Sequence, residues 1–214
     1  MGVLAIRQIL QSPFYYLGQA FSRYVYPIYL KRKRGVHVLG RLKLMGIPMV
    51  DIRRNCSLVI DDNVTLNSCN RYYHVNMHSP VKLYADEEDA QIYIGKNTRI
   101  HGTCIHAYKL IHIGNNCLIA ANTQIFDGAG HDLAFDNIEN RMSIKKDGKP
   151  IIIEDYVWIS INVIILGGVT IGKGSVIAAG SVVTKDIPAF VIAAGNPAKV
   201  IKDMKSVNDS KKDA

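Results

Sequence analysis

A single histidine lies in the long stretch of residues 126–150, between Gly130 and Asp132. An imidazole titrates near neutral pH, so His131 could act as a general base if a neighbouring group fixed its tautomer. Three nearby carboxylates could do so, and their spacing does not choose among Asp127, Asp132 and Glu139. A solitary histidine in a loop is more often only solvated, so the case for His131 depends on the elements that position it.

Those elements repeat every six residues. An aliphatic side chain recurs at each sixth position in Ile153, Ile159, Ile165, Ile171, Ile177 and Val183. A helix requires apolar residues every three to four positions and a half-buried strand every two, so neither alone explains this period. Hexad repeats are typical of a parallel β-helix, in which three short strands close one triangular coil. The sequence therefore predicts a mainly β protein built of stacked coils.

The repeats divide the chain into three parts. Residues 1–34 carry apolar residues at helical spacing, residues 35–202 form the predicted β-helix, and residues 203–214 form a polar tail. The period stops at residues 126–150 and resumes in phase, which predicts an external loop there. It is also lost at residues 68–90, where we expect a protrusion or an irregular coil.

Two interpretations of the helical segment stay open. It is either a cap over the end of the coil or an interfacial membrane contact, because four basic residues, Lys31 to Arg34, follow its apolar face. We expect no signal peptide and no membrane span, and therefore a cytoplasmic protein, placed at the inner face of the membrane under the second interpretation.

Composition excludes several classes. A hydrophobic content of 48% is too high for a disordered chain. The net charge of +8 is concentrated towards the ends, so the coil is not a basic surface and we expect no nucleic-acid partner. The four cysteines form no Cys-x-x-Cys pair, which argues against a disulfide framework or a zinc knot and for a reducing compartment.

Four motifs occur in order along the second half of the chain: Trp158-Ile159-Ser160, Gly168-Val169-Thr170-Ile171-Gly172, Gly180-Ser181-Val182-Val183-Thr184-Lys185-Asp186-Ile187-Pro188 and Gly195-Asn196-Pro197-Ala198-Lys199. In combination they resemble the hexapeptide-repeat acetyltransferases, with the maltose/galactoside O-acetyltransferase type and its capsular-polysaccharide relatives as the nearest branch. The likeness covers about residues 94–202. It implies a left-handed parallel β-helix, a homotrimer, acetyl-CoA as cosubstrate in grooves between subunits, and a saccharide acceptor in polysaccharide biosynthesis.

The resemblance also implies roles for particular residues. The family's catalytic histidine falls on His131, which would deprotonate an acceptor hydroxyl for direct attack on the thioester. Coenzyme contacts fall on Trp158, Ile161, Ala179, Thr184, Lys185, Lys199 and Lys202, and acceptor contacts on His101, Asp127 and Arg141. Ser160 and Ile161 depart from the glycine and small residue that the family carries after Trp-Ile.

Three other functions remain as alternatives. An amino-sugar N-acetyltransferase would use the same base and cosubstrate. Histidines 101, 106 and 112 are spaced as in gamma-class carbonic anhydrases, which hold zinc with three imidazoles, although His74 and His78 lie outside the repeats. A non-catalytic hexapeptide scaffold would make no use of His131.

Overall fold

The computed structural model describes residues 12–71 and 73–204 and shows a rod of stacked coils with three β-sheets as its sides, all parallel except for the last strand pair of one sheet, which is antiparallel. Strands are numbered β1–β22 in chain order. Sheet A contains β1 (Val36–Val38), β4 (Ser57–Ile60), β7 (Gln91–Ile94), β10 (Leu110–Ile113), β15 (Ile151–Ile153) and β18 (Thr170–Ile171). Sheet B contains β2 (Leu42–Met45), β5 (Val64–Asn67), β8 (Arg99–His101), β11 (Leu118–Ile119), β16 (Trp158–Ile159), β19 (Val176–Ile177), β21 (Val191–Gly195) and β22 (Ala198–Asp203). Sheet C contains β3 (Met49–Ile52), β6 (Lys82–Ala85), β9 (Cys104–Ala107), β12 (Gln124–Phe126), β17 (Ile164–Leu166) and β20 (Val182–Val183).

The predicted hexad residues form the core, which confirms the period of six. All six aliphatic side chains from Ile153 to Val183 have no exposed surface. Each lies above its equivalent in the next coil, because Ile153 aligns with Ile171, Ile159 with Ile177 and Ile165 with Val183. Burial of each such side chain contributes about 2 kcal/mol.

Asparagines stack at one corner of the rod and connect successive coils. Asn63, Asn97 and Asn116 have φ angles of 59°, 59° and 56°, a left-handed conformation that asparagine tolerates better than most residues. Nδ2 of Asn63 donates to Oδ1 of Asn97 at 2.8 Å, and Nδ2 of Asn97 donates to Oδ1 of Asn116 at 3.0 Å. The turns are therefore bonded to one another from coil to coil.

The predicted external loop is confirmed at residues 126–150. It contains an antiparallel hairpin of β13 (Gly128–His131) and β14 (Ile144–Gly148), with a 3-10 turn at Ile138–Met142 between the strands. The interruption at residues 68–90 is shorter than the sequence indicated, because β6 within it joins sheet C in register with β3 and β9. A polar surface masks the period there, whereas Leu83 and Ala85 still fill the interior.

The N-terminal segment is helical, as expected, from Pro13 onward. It comprises α1 (Pro13–Ala20), a π-helical turn (Phe21–Val25) and α2 (Tyr26–Arg32), and Leu30 enters the core. Residues 1–11 of the predicted helical segment and residues 205–214 of the predicted tail lie outside the described residues. Within the described ranges, no helix combines the length and apolarity needed to cross a membrane.

Candidate active site

The hairpin of β13 and β14 carries His131 away from the coil. Its two strands pair Gly128 with Gly148 and His131 with Ile144, and a bulge shifts the register between Gly128 and Gly130. The hairpin packs on Tyr108, and a Cβ at position 128 would lie 2.5 Å from that ring, so the close approach requires glycine. His131 is exposed at the end of β13, where its imidazole is accessible to a substrate.

Asp127 fixes the base of the hairpin. Its carboxylate is buried, with 2% of its surface exposed, and accepts backbone N–H bonds from Tyr108, Lys109 and Leu110 at 2.6, 2.8 and 2.7 Å. Both oxygens are used, so Asp127 positions the hairpin, and its role as an acceptor contact stays a prediction.

The remaining loop residues stabilise the tip. Nε of Arg141 donates to the Leu133 carbonyl at 3.0 Å, and its guanidinium carbon lies 5.5 Å from the centre of the Phe135 ring. Oδ1 of Asp132 accepts from the Ala134 N–H at 3.0 Å, while Glu139 lies in the 3-10 turn. The role of Arg141 as an acceptor contact stays a prediction, and so does the identity of the carboxylate that orients His131.

His131 and Asp127 line one cavity of about 380 Å³. Phe126 and Leu166 of sheet C form its floor, and Lys149 contributes a cation. We call this space the hairpin cavity.

A second cavity of about 430 Å³ lies against sheet B and contains three other predicted site residues, His101, Trp158 and Ile161. We call it the sheet B cavity. Two other residues that line it, Tyr73 and Arg99, were not predicted as site residues from the sequence. The two cavities share none of their lining residues, so one copy of the chain does not bring His131 to Trp158.

His101 is a neutral hydrogen-bonding group in the sheet B cavity. Burial, with a smaller effect of the nearby Arg99 charge, lowers its pKa to about 4. Nδ2 of Asn67 lies 3.2 Å from Nδ1 of His101. Because an amide nitrogen only donates, Nδ1 accepts this bond and the ring proton resides on Nε2. The Tyr73 ring stacks on the imidazole with centroids 4.9 Å apart.

A column of outward side chains runs along sheet B from this cavity to the end of the rod. The strand register aligns Arg99, Leu118, Trp158, Val176, Ile192 and Lys202. With strands about 4.8 Å apart, three steps place Lys202 roughly 14 Å from Trp158. Lys199 faces the same way on β22, opposite Ala194. We call this arrangement the sheet B column.

The other predicted coenzyme residues lie at two corners of the rod. Ala179 is exposed beside Ile161 at the corner that follows sheet B, since the N–H of Gly180 donates to the Ile161 carbonyl at 3.0 Å. Thr184 and Lys185 are exposed at the corner that follows sheet C. These last two therefore lie on a different side from Trp158.

The histidines that suggested zinc lie on different sides of the rod. His101 belongs to sheet B, His106 to sheet C and His112 to sheet A. In the described part of the chain, no three His, Cys, Asp or Glu side chains are grouped so as to hold a metal ion. His106 has its own partner instead, because its Nε2 lies 2.9 Å from Oδ1 of Asp86. Burial favours the protonated acid, but the bonds from His106 and Tyr84 outweigh it and lower the pKa of Asp86.

Known proteins with similar sequences contain the same six-residue repeat or are named as acetyltransferases. The pattern of the family described as bacterial transferase hexapeptide (six repeats) matches residues 150–185. A putative acetyltransferase of Schizosaccharomyces pombe is 50% identical over 97 residues, which are 45% of this chain and 45% of that protein. A 2,3,4,5-tetrahydropyridine-2,6-dicarboxylate N-acetyltransferase of Staphylococcus aureus is 55% identical over 64 residues, which are 30% of this chain and 27% of that protein.

A solved structure extends the likeness. A galactoside acetyltransferase in complex with coenzyme A is 37% identical, with a TM-score of 0.53 over 65% of this chain and 65% of that chain. The chain covers 45%, 56% and 27% of the length of the first three different curated relatives it matches, which is less than two thirds of each. The chain is thus a left-handed parallel β-helix built of hexapeptide repeats, and it resembles the acetyltransferases that share this repeat.

Proposed function

We propose that the chain is an acetyl-CoA-dependent O-acetyltransferase that acts on a saccharide hydroxyl, with His131 as the general base. The observation that carries this proposal is the hairpin of β13 and β14, which holds an exposed imidazole outside the coil on a base fixed by Asp127. A scaffold would not need a histidine presented in this way.

Acetyl-CoA is the proposed donor, and the sheet B column is its proposed site. The apolar side chains of Trp158, Val176 and Ile192 would contact the pantetheine arm, and Lys199 and Lys202 would bind the phosphates as point charges. The complex of the related galactoside acetyltransferase with coenzyme A supports this choice of donor.

The saccharide is proposed to lie in the sheet B cavity, below the acetyl end of the donor. Trp158 and Tyr73 offer flat apolar surfaces for a sugar ring. His101, which is neutral with its proton on Nε2, and Arg99 offer donors for hydroxyl groups. Few polar groups in an otherwise apolar space are typical of sites that fix the orientation of a small ligand.

The proposed site requires a second copy of the chain. The hairpin cavity and the sheet B cavity are separate in one copy, so the His131 that acts at a given sheet B cavity would come from a neighbour. The homotrimer that the resemblance implies would provide such neighbours in a closed ring.

The chemistry is a direct transfer. The acceptor oxygen attacks the carbonyl carbon of the thioester while His131 removes the hydroxyl proton. The tetrahedral intermediate then collapses, the carbon–sulfur bond breaks, and the proton passes from the imidazolium to the departing thiolate. No nucleophilic side chain of the protein is needed, and backbone N–H groups would stabilise the oxyanion.

The proposal is tested by release of the coenzyme A thiol from acetyl-CoA in the presence of a saccharide panel. Maltose, a galactoside and glucosamine are suitable members, with no acceptor as the blank. We expect acceptor-dependent thiol release and a product that carries an acetyl ester. An acetylated amine with no ester from any hydroxyl acceptor would replace this proposal with amino-sugar N-acetylation.

Trp158 permits a separate test of donor binding, because it is the only tryptophan. Half of its surface is exposed in the free chain. Coenzyme A that covers the indole should shift its emission to shorter wavelength and saturate with concentration. A Lys199→Gln/Lys202→Gln variant should require a higher concentration for the same shift, whereas the matched Lys96→Gln/Lys173→Gln variant should not. A spectrum unchanged by coenzyme A would remove the sheet B column as the donor site.

A further inference from the structure

The N-terminal helical segment, residues 13–32, exposes most of its apolar side chains to solvent. Leu30 is buried in the core, but the other large aliphatic and phenylalanine side chains point to solvent: 87% of the Phe14 surface, 64% of Leu17, 44% of Phe21 and 53% of Ile28 is exposed. The face that packs on the rod is instead partly polar, with Ser22 fully buried and Gln19 half-buried. A helix that only capped the coil would place its apolar face inward.

The exposed side chains form one continuous surface. Phe14, Leu17, Phe21, Val25 and Ile28 recur at spacings of three or four, which aligns them along one side of the helical segment. Lys31 and Arg32 follow Ile28 at the same spacings and are also exposed, so cations extend this surface at its end. Tyr24 and Tyr29 flank it, each near a cation, with Arg23 at 5.5 Å and Lys33 at 6.0 Å from the respective ring centres. We call this the outer helical face.

The charge of the whole chain is concentrated in the same region. Residues 1–50 contain eight of the 26 lysines and arginines and no aspartate or glutamate. The other eighteen basic residues balance the eighteen acidic residues, all of which lie from Asp51 onward. The net charge of +8 therefore belongs to the first 50 residues, and the rest of the chain is formally neutral.

We propose that the outer helical face binds the surface of an anionic lipid membrane, with the helical segment lying in the plane of the interface. Exposed apolar residues next to cations, with aromatic residues at the border, are the features that favour such binding. A second copy of the chain is a poor occupant, because pairing this face with itself would bring two strongly basic regions together. The proposal does not rest on the acetyltransferase assignment.

Vesicle sedimentation tests the proposal with the full chain. The protein should sediment with mixed phosphatidylcholine/phosphatidylglycerol vesicles, much less with pure phosphatidylcholine, and less at high salt. Phe14→Ser/Leu17→Ser/Ile28→Ser should abolish sedimentation. Lys31→Gln/Arg32→Gln should weaken partition about thirtyfold, since each basic residue near an anionic surface contributes about fivefold. All five positions are exposed, so the variants should keep the melting temperature of the wild type.

A matched control removes two exposed lysines from the coil. Lys96→Gln/Lys173→Gln lowers the net charge by the same amount as Lys31→Gln/Arg32→Gln and should leave partition unchanged. Equal loss in both double variants would mean that only total charge matters, which overturns the proposal. Failure of the wild type to bind anionic vesicles would also overturn it. A change of oligomeric mass in the serine variant would do the same, because it would identify another copy of the chain as the occupant.

Discussion

His131→Ala is expected to lower the kcat of acetyl transfer by about a hundred- to ten-thousand-fold, the usual contribution of a general base. The imidazole contacts the acceptor hydroxyl in the proposed site and does not hold the donor, so the KM for acetyl-CoA should change little. Steady-state thiol release measures both quantities. The Trp158 emission shift with coenzyme A should persist in the variant, which separates loss of chemistry from loss of binding.

His37→Ala is a suitable control, because His37 is likewise exposed on a short strand but lies in the first coil of sheet A. It should retain full activity. Mixed assemblies provide a sharper test of the shared site. Copies with His131→Ala and copies with Trp158→Ala should each be weak alone, and mixing them should restore part of the activity. Full activity of His131→Ala would exclude the imidazole as the base, and lack of recovery on mixing would argue against a site shared between copies.

Asp127→Ala is expected to lower the free energy of unfolding by about 3–5 kcal/mol. Three backbone N–H groups would lose a charged acceptor at once, and each such bond contributes about 1.5–3 kcal/mol, with less than full additivity inside one cluster. Urea unfolding followed by circular dichroism measures the change. The catalytic rate should fall as well, because the hairpin that holds His131 begins next to this carboxylate.

Asp186→Ala is the matched control. Its exposed carboxylate accepts one backbone N–H bond, from Thr170 at 2.7 Å, so the loss should be below about 1 kcal/mol. If Asp127→Ala kept its stability and instead raised the KM for the acceptor, Asp127 would be an acceptor contact, as the resemblance implies.

The rod, the N-terminal helical segment and the external loop could be predicted from the sequence because their signals are local. A strict period of six has few structural solutions, and the buried isoleucines of sheets A, B and C follow it directly. The loop around His131 is indicated by a gap in that period. The strand Lys82–Ala85 has a weaker signal in the sequence. Lys82 and Tyr84 face outward, and only two residues, Leu83 and Ala85, face the interior.

The sites could not be predicted in the same way, because they depend on which side of the rod a residue faces. Each hexad turns the chain to the next side, so histidines five or six residues apart, such as His101, His106 and His112, are separated rather than gathered. Conversely, Trp158 and Lys202 are far apart in sequence but lie in one column. Tyr73 reaches the sheet B cavity from an irregular segment, and no periodicity marks it.

The stacking of coils also fixes distances along the rod in equal steps. Every added coil lengthens the rod by one strand spacing, about 4.8 Å, because its strands pair with those of the coil before it. The span from the indole to the terminal lysines is therefore counted in whole strands of sheet B, and its length is graduated rather than continuous. A repeat protein of this kind can match molecules of different reach by gaining or losing a layer, while each layer continues to contact only its neighbours.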